Sequence, residues 1–469
     1  MLCRLPSKWY HRLSMGKTGT AFFTRDRAFY KTFLSMLTLV ALQNLVAYSV
    51  NMADNIMLGA YSQEVLSGAA IVNQVFFVVQ QVALALANSL SALASQYWGK
   101  QETRPIRTLT GITVKVSLLI AAVIIAVCWL WPRQLLGLFT PEERIISQGL
   151  EYLSLLKWTF LLFIIYSVLV AALRSAGIVN IAFYVSVVSL VVNVGINYTL
   201  IYGRFGFPEL GIRGAAIGTF VARTLEVLIV LAYALLKEKR LRMFSEGFLA
   251  RDRALFKDFL KVMWPILLSS LVWGISVPLQ TAILGHLSDT AIAANSVATT
   301  FYQYLKVVVR AMATVSAVLI GNSIGRGDLD AVKAEARTLN VICVGIGVVL
   351  GLMLFFLRGP LLSLYSLTEE ATELSKELIA LMSVIMVGMS YQMPLSSGIF
   401  QGGGDVKFGM KLNIISIWCV VMPLSFLTAF VWKLPVPVVV LAIQSDQLFK
   451  GIPDFIHFRS YKWIKKLTR

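Results

Sequence analysis

Residues 51–59 read Asn51-Met-Ala-Asp54-Asn-Ile-Met-Leu-Gly59, and 226 positions later the chain reads Gln280-Thr-Ala-Ile-Leu-Gly285, with Gln280 where Asp54 would recur. The same offset pairs Ser62 with Ser288, Gly99 with Gly325, and Leu136-Gly-Leu-Phe139 with Leu362-Ser-Leu-Tyr365. The chain is therefore duplicated, and one half keeps a carboxylate that the other lacks. Both stretches lie in long apolar runs. A charge at the centre of a bilayer helix costs about 2.5–3.5 kcal/mol on insertion scales, so such residues mark ion or proton pathways.

With 57% hydrophobic and only 14% charged residues, the composition departs far from soluble domains, where charged residues run near 25%. Backbone groups in hydrocarbon must be hydrogen-bonded internally, and the apolar runs exceed the roughly 20 residues needed to cross, so the spans are expected to be helices. The fold class is an all-α polytopic membrane protein. Apolar spans are placed at 32–58, 67–95, 107–131, 149–172, 180–202 and 214–236, then 258–285, 292–320, 338–358, 372–398, 408–432 and 436–456. These divide the chain into a cytoplasmic N-terminal segment (1–31), an N-lobe of six spans (32–236), a charged inter-lobe linker (237–257), a C-lobe of six spans (258–456) and a basic tail (457–469). An even number of spans returns each half to its starting side, so twelve transmembrane helices are expected in two six-helix lobes related by a pseudo-two-fold axis along the membrane normal. Parallel repeats of this kind occur in transporters, where the substrate path runs between the lobes.

The net charge of +18 is distributed as a membrane protein distributes it. Threading twelve spans from a cytoplasmic N-terminus leaves 28 of the 42 Lys and Arg on the cytoplasmic side and 6 on the other, the asymmetry of the positive-inside rule. Basic loops facing an anionic leaflet account for the charge better than nucleic acid does. A multi-pass protein of the cytoplasmic membrane, both termini cytoplasmic, is expected. Its partners are the bilayer and a small-molecule substrate, and the expected unit is a monomer. Cys3, Cys128, Cys343 and Cys419 are far apart, the last three in apolar segments, which gives neither a disulfide framework nor a metal site. They read as small core thiols. The first 31 residues have no apolar core of signal-peptide type, so no cleaved leader is expected.

Polar residues mark two helix faces. On span one, Gln43, Ala47, Asn51 and Asp54 recur at helical spacing; on span five, Ser186, Ser189, Asn193 and Asn197 do the same. Two such stripes can shelter one another from lipid, and a carboxylate facing carboxamide oxygens suits a proton or a small hard cation. The plain alternative is an interhelical hydrogen-bond seam worth roughly 1 kcal/mol per contact. Burial disfavours the charged form of a carboxylate, so Asp54 in a semi-dry cavity can take up and release a proton. It lies five residues before Gly59, near the end of its span, so this reading requires that it be buried. Arg223 with Glu226, and Asp446 with Lys450, have helical spacing and are expected to neutralise one another. Gln444, Ser445, Asp446, Gln447 and Lys450 crowd span twelve, and Pro453 interrupts its end.

Asn193-Val-Gly-Ile-Asn197-Tyr-Thr-Leu-Ile-Tyr-Gly203, then Pro208-Glu-Leu-Gly211-Ile-Arg-Gly214-Ala-Ala-Ile-Gly-Thr219, together with the Asn51–Gly59 stretch, resembles the multidrug and toxic compound extrusion (MATE) family. Gly404-Asp405-Val-Lys407 and Arg459-Ser-Tyr-Lys-Trp463 extend the resemblance over nearly the whole chain. It implies an antiporter exporting amphipathic, often cationic compounds in exchange for protons or sodium, through a cavity between two six-helix bundles. It also implies an N-lobe cation site at Asp54, Asn193, Asn197 and Thr219. Members with such a site often carry a second aspartate where this chain has Asn197, which favours protons over sodium. Another branch places acids in spans seven and ten; here span seven has none and span ten only Glu373 and Glu377 near its start, so no C-lobe cation site is expected.

Asn73, Gln280 and Gln303 are assigned to the substrate cavity, beside aromatic residues able to receive flat apolar cations. The rival reading is a flippase for a lipid-linked saccharide or peptidoglycan precursor, similar in lobe architecture. Lys306 and Arg310, four apart on span eight, support it, with snorkelling or pairing as the milder explanation. No enzyme is expected: His11, His286 and His457 are scattered, there is no His-Glu-x-x-His or Gly-x-Ser-x-Gly, and Gly402-Gly-Gly404 lacks the Lys-Ser/Thr of a phosphate loop. Neither cofactor nor metal is called for, and the energy source left is an ion gradient.

Overall fold

The computed structural model describes residues 22–469 apart from 288, 364 and 366, and the side chain of Asp289 is also outside the description. The basic stretch through residue 21, with Cys3 and His11, and the repeat position Ser288 lie outside the described residues. Eleven helices among the described residues are long and apolar enough to cross a membrane. They are α1 (Arg27–Tyr61), α2 (Gln63–Gly99), α3 (Thr103–Leu130), α4 (Glu143–Ser175), α5 (Asn180–Ile201), α6 (Ile212–Leu236), α7 (Arg253–Gly285), α8 (Asp289–Arg326), α9 (Leu329–Leu362), α10 (Glu369–Gly402) and α11 (Val406–Val431).

The twelfth span, α12, is three short helices end to end, Val436–Gln444, Asp446–Phe449 and Gly451–Ser460. The breaks fall where the polar crowd was noted. Ser445 Oγ donates to the Ala442 carbonyl at 2.8 Å, a local bond that competes with the helical ladder. Pro453 sits in the first turn of the last piece, where its missing N–H costs nothing.

The duplication is visible at the helix starts. Asp26 caps α1, its side chain accepting from Ala28 N at 2.8 Å, and its repeat mate Asp252 caps α7, accepting from Ala254 N and Leu255 N at 2.8 and 3.0 Å. Each satisfies amides that the first turn leaves without partners. The halves differ in regularity. Prolines interrupt α7 (Pro265, Pro278), α9 (Pro360), α10 (Pro394) and α11 (Pro423), and wide i→i+5 turns occur at Pro394–Ile399, Ile415–Val421 and Leu427–Val431. Proline removes a ladder donor and clashes with the preceding turn, which relaxes as such a bulge.

The pseudo-two-fold axis passes between α2 and α8. A Cβ on Gly99 would collide with the Asn322 carbonyl, one on its mate Gly325 with the Gln96 carbonyl, and one on Gly321 with Ser95 Oγ. Each contact joins a residue to its own repeat equivalent or to the residue about one turn before it, and only glycine lets the two backbones approach so closely. The first halves of α1 and α7 are exchanged about this axis. Phe33 is fully buried in the apolar cluster of the second half, and its mate Phe259 is fully buried in that of the first.

The segment after α6 is docked rather than free. Glu238 accepts from the amides of Arg240, Leu241 and Arg242 at 2.7–2.8 Å, and Arg107 Nε on α3 donates to the Leu241 carbonyl at 2.7 Å. The chain end returns to the same side. Gln96 Nε2 donates to the carbonyls of Gly402 and Lys465 at 3.1 Å, and its Oε1 accepts from Leu467 N at 2.8 Å. Trp463 is fully buried, and Lys465 Nζ pairs with Asp405 at 2.9 Å. The side of the molecule bearing the C-terminus is thus closed by α2, α8 and the final residues. Of the thiols, Cys128 and Cys343 are buried but Cys419 is exposed; an apolar side chain on the rim of a membrane bundle faces lipid, so hydrophobicity there did not mean core.

Candidate functional site

Asp54 is 8% exposed, despite standing seven residues before the end of α1, because α5 and α6 cover that face. Asn197 Nδ2 donates to Asp54 Oδ1 at 2.5 Å and also reaches Asn193 Oδ1 at 3.4 Å. Asn193 and Asn197 are fully buried, one turn apart on α5. Thr219 follows from α6. The four residues assigned to a cation site therefore converge from three helices of one half.

What lets them converge is Gly218. A Cβ there would strike Asn197 Oδ1, so only glycine lets α6 pass close enough for Thr219 to face the same space. Asp54, Asn73, Asn193, Thr219 and Arg223 line a pocket of about 20 Å3 together with Asn51, Tyr152 and Ser189. That volume holds one water or one small ion and is an order of magnitude below the roughly 300–1,000 Å3 of drug-sized sites. Size decides the chemistry: the pocket can hold a water or one small ion and not a drug-sized compound. Asn193 Nδ2 and Thr219 Oγ1, of residues that line it, and Asn197 Oδ1, beside it against Gly218, are buried without a hydrogen-bond partner. Buried polar atoms left unpaired are costly, so this donor and acceptor set suits a small polar occupant.

The pair that spacing implies between Arg223 and Glu226 exists, with Nη1 donating to Glu226 Oε2 at 2.8 Å. The same guanidinium also lines the Asp54 pocket and lies 4.9 Å from the Phe163 ring centroid. The signal was present in the sequence, since Arg223 falls four residues after Thr219 on one helical face. Tyr152 gave no signal; an aromatic in an apolar span usually reads as packing. Asn73, expected at the substrate cavity, lines this small polar pocket, because α2 packs that face against α1 and α4. Gln280 and Gln303 do not line it; both are half-buried on α7 and α8.

From the two polar stripes, Asn51, Asp54, Ser189, Asn193 and Asn197 meet. Gln43 instead accepts from Arg174 Nη2 at 3.2 Å, and Ser186 bonds the Ala182 carbonyl at 3.0 Å. Asp446 and Lys450 pair at 2.8 Å, as their spacing implies, and Lys450 also donates to Asn413 Oδ1 at 2.7 Å. Among the described residues no group of three or more His, Cys, Asp or Glu is arranged to hold a metal ion.

A family model described as MatE matches residues 40–199 and 265–427, one stretch in each half. The chain is 26% identical over 430 residues to a probable multidrug resistance protein NorM of Thermotoga maritima, covering 91% of this chain and 92% of that protein. It is 24% identical over 408 residues to a protein of the same description from Halalkalibacterium halodurans, covering 85% and 87%. Among solved structures, the Vibrio cholerae MATE transporter VcmN, crystallised as a point mutant, superposes with a TM-score of 0.85 at 17% identity over 94% of this chain and 98% of that one.

Proposed function

The chain belongs to the MatE family, and from that membership and the pocket around Asp54 we propose a secondary antiporter that exports amphipathic small molecules across the cytoplasmic membrane. The coupling ion binds at Asp54, with Asn193, Asn197 and Thr219 around it. A proton is favoured over sodium, because the pocket holds one carboxylate and already contains the Arg223 guanidinium, whose charge opposes a second metal-like cation. Multidrug efflux is the description of its relatives, and the same description fits this chain.

The lobes, residues 32–236 and 258–456, rock about the α2–α8 contact. The closed side, bearing the basic linker and tail, is assigned to the cytoplasm. An inward-moving proton carries about 2.3 kcal/mol per 100 mV of membrane potential, enough to bias a two-state equilibrium by more than tenfold. Asp54 supplies that bias by exchanging its charge while buried between α1, α5 and α6. The single observation that carries the reading is the buried carboxylate held by an asparagine amide in a pocket sized for one ion.

Inverted membrane vesicles containing the protein should accumulate a fluorescent amphipathic dye when an acid-inside gradient is imposed. Asp54→Asn, close in shape and unable to ionise, should abolish that uptake. Uptake by the variant equal to the parent's refutes the coupling assignment.

A further inference from the structure

Buried cations in this protein generally have partners. Arg223 holds Glu226, Arg174 holds Gln43 and Lys450 holds Asp446 and Asn413. Lys306 and Arg310 are different. They lie one turn apart on α8, each half-buried. Among the described residues neither side chain makes a hydrogen bond or an ion pair. The carboxylate facing Lys306, Asp446, is already engaged by Lys450 at 2.8 Å and by Gln447 Nε2 at 2.9 Å.

The surroundings are aromatic and come from both halves. Lys306 Nζ lies 5.7 Å from the ring centroid of Trp273 on α7 and 5.8 Å from that of Tyr302. Trp273 is in turn 5.9 Å from Phe77 on α2. Tyr48 on α1 faces Arg310 and lies 5.0 Å from Tyr304. Cation–π contact softens the cost of a desolvated ammonium but does not neutralise it. Snorkelling, the milder expectation for these residues, requires the side chain to reach an interface, and both are instead enclosed between the helices that bound the lobes.

We propose that Lys306 and Arg310 form an anion subsite between the lobes, so that the exported compounds carry a carboxylate, sulfonate or phosphate on an apolar, flat body. This rests on the transport reading above and specifies its substrate class. An oxyanion set between the two cations supplies the missing counter-charge. Arg310 offers a planar fork of donors and Lys306 a point charge. The apolar body then lies against Trp273, Tyr302 and Phe77. The same two charges repel a cationic compound from that position, which makes the site selective by exclusion as well as by attraction. An anion leaving a negative-inside cell also moves with the membrane potential.

Two sources carry this chemistry, a soluble organic anion and the phosphate of a membrane lipid. The test uses purified full-length protein in phosphatidylcholine nanodiscs, with 8-anilinonaphthalene-1-sulfonate as the anionic probe and ethidium as the cationic one. The parent should bind the sulfonate saturably. The Lys306→Gln/Arg310→Gln double variant should bind it about 10- to 100-fold more weakly, the loss expected for charge-assisted contacts. Lys306→Arg should retain binding, which separates charge from packing. Thermal unfolding of the double variant should not fall, since unpaired buried charges are removed. Replacing half the lipid with phosphatidylglycerol should leave sulfonate binding intact if the natural ligand is a soluble anion, and should compete with it if a lipid phosphate occupies the site; either result supports the subsite. Unchanged sulfonate affinity in the double variant, or parent protein that binds ethidium and not the sulfonate, overturns it. Failure of proton-driven uptake of both probes in inverted vesicles would sink the transport reading, while the equilibrium binding measurement would still decide the subsite.

Discussion

Gly218→Ala offers a test of the ion site that leaves every polar group in place. A Cβ at residue 218 meets Asn197 Oδ1 well inside contact distance and Asn197 Cγ at 3.1 Å, while the nearest backbone atom, the Asn193 carbonyl oxygen, is 3.5 Å away. The asparagine side chain must therefore swing aside, and its 2.5 Å bond to Asp54 Oδ1 is lost. A hydrogen bond to a charged group contributes about 1.5–3 kcal/mol. Asn197 steadies the carboxylate ion, so at 1.36 kcal/mol per decade Asp54 should release its proton about 10- to 150-fold less readily without that bond. Overpacking itself costs about 1–3 kcal/mol of fold stability. Gly195→Ala is the control: it lies on the same helix as Asn197, and nothing stands within 4 Å of its added Cβ. Dye uptake in inverted vesicles, titrated against the imposed gradient, reads the coupling, and unfolding in detergent reads the fold. Gly218→Ala should need a much steeper gradient for half-maximal uptake, and Gly195→Ala should behave as the parent. A Gly218→Ala protein that melts near the parent and couples equally well would refute the role given to the Asn197 amide.

Glu226→Gln leaves the Arg223 guanidinium without its anion in a buried setting, where breaking one partner costs about 3–5 kcal/mol. Its melting temperature should fall sharply, and removing both charges with Arg223→Gln/Glu226→Gln should recover most of the loss; equal stability of the single variant and parent contradicts a structural pair. Gly99→Ala puts a methyl group against the Asn322 carbonyl at the pseudo-axis, a strain of about 1–3 kcal/mol present only when the closed side is shut. A cysteine placed near residue 95 on that side should label faster with a membrane-impermeant thiol reagent, and uptake should fall; unaltered labelling would mean that α2 and α8 separate elsewhere.

The duplication, the helical class and the Asp54 asymmetry were legible in residues 51–59 and 280–285, because a glycine and a carboxylate at a fixed offset are local facts. Asn193, Asn197 and Thr219 followed from the family resemblance and from helical spacing. The Arg223–Glu226 pair is legible because it is local, whereas the place of Arg223 in the Asp54 pocket depends on how α6 leans on α5. The presence of Asn73 in that pocket was not legible for a related reason: spacing says which face of α2 it shares but not which helix that face meets. The break in α12 was foreshadowed by its polar crowd, but not the three pieces into which it divides.

Period, charge and spacing along the chain determined that this is a duplicated, membrane-spanning helical protein with one half specialised by an acid. Those properties depend on the hydrophobicity and geometry of single helices, which each segment carries with it. Only the packed structure decided that the acid is buried, that its pocket is sized for one ion, that the backbones touch at Gly99 and Gly325, and that Lys306 and Arg310 lack partners. Each of those depends on the distance between side chains on different helices, which is set by how glycines and bulky residues on facing surfaces fit together.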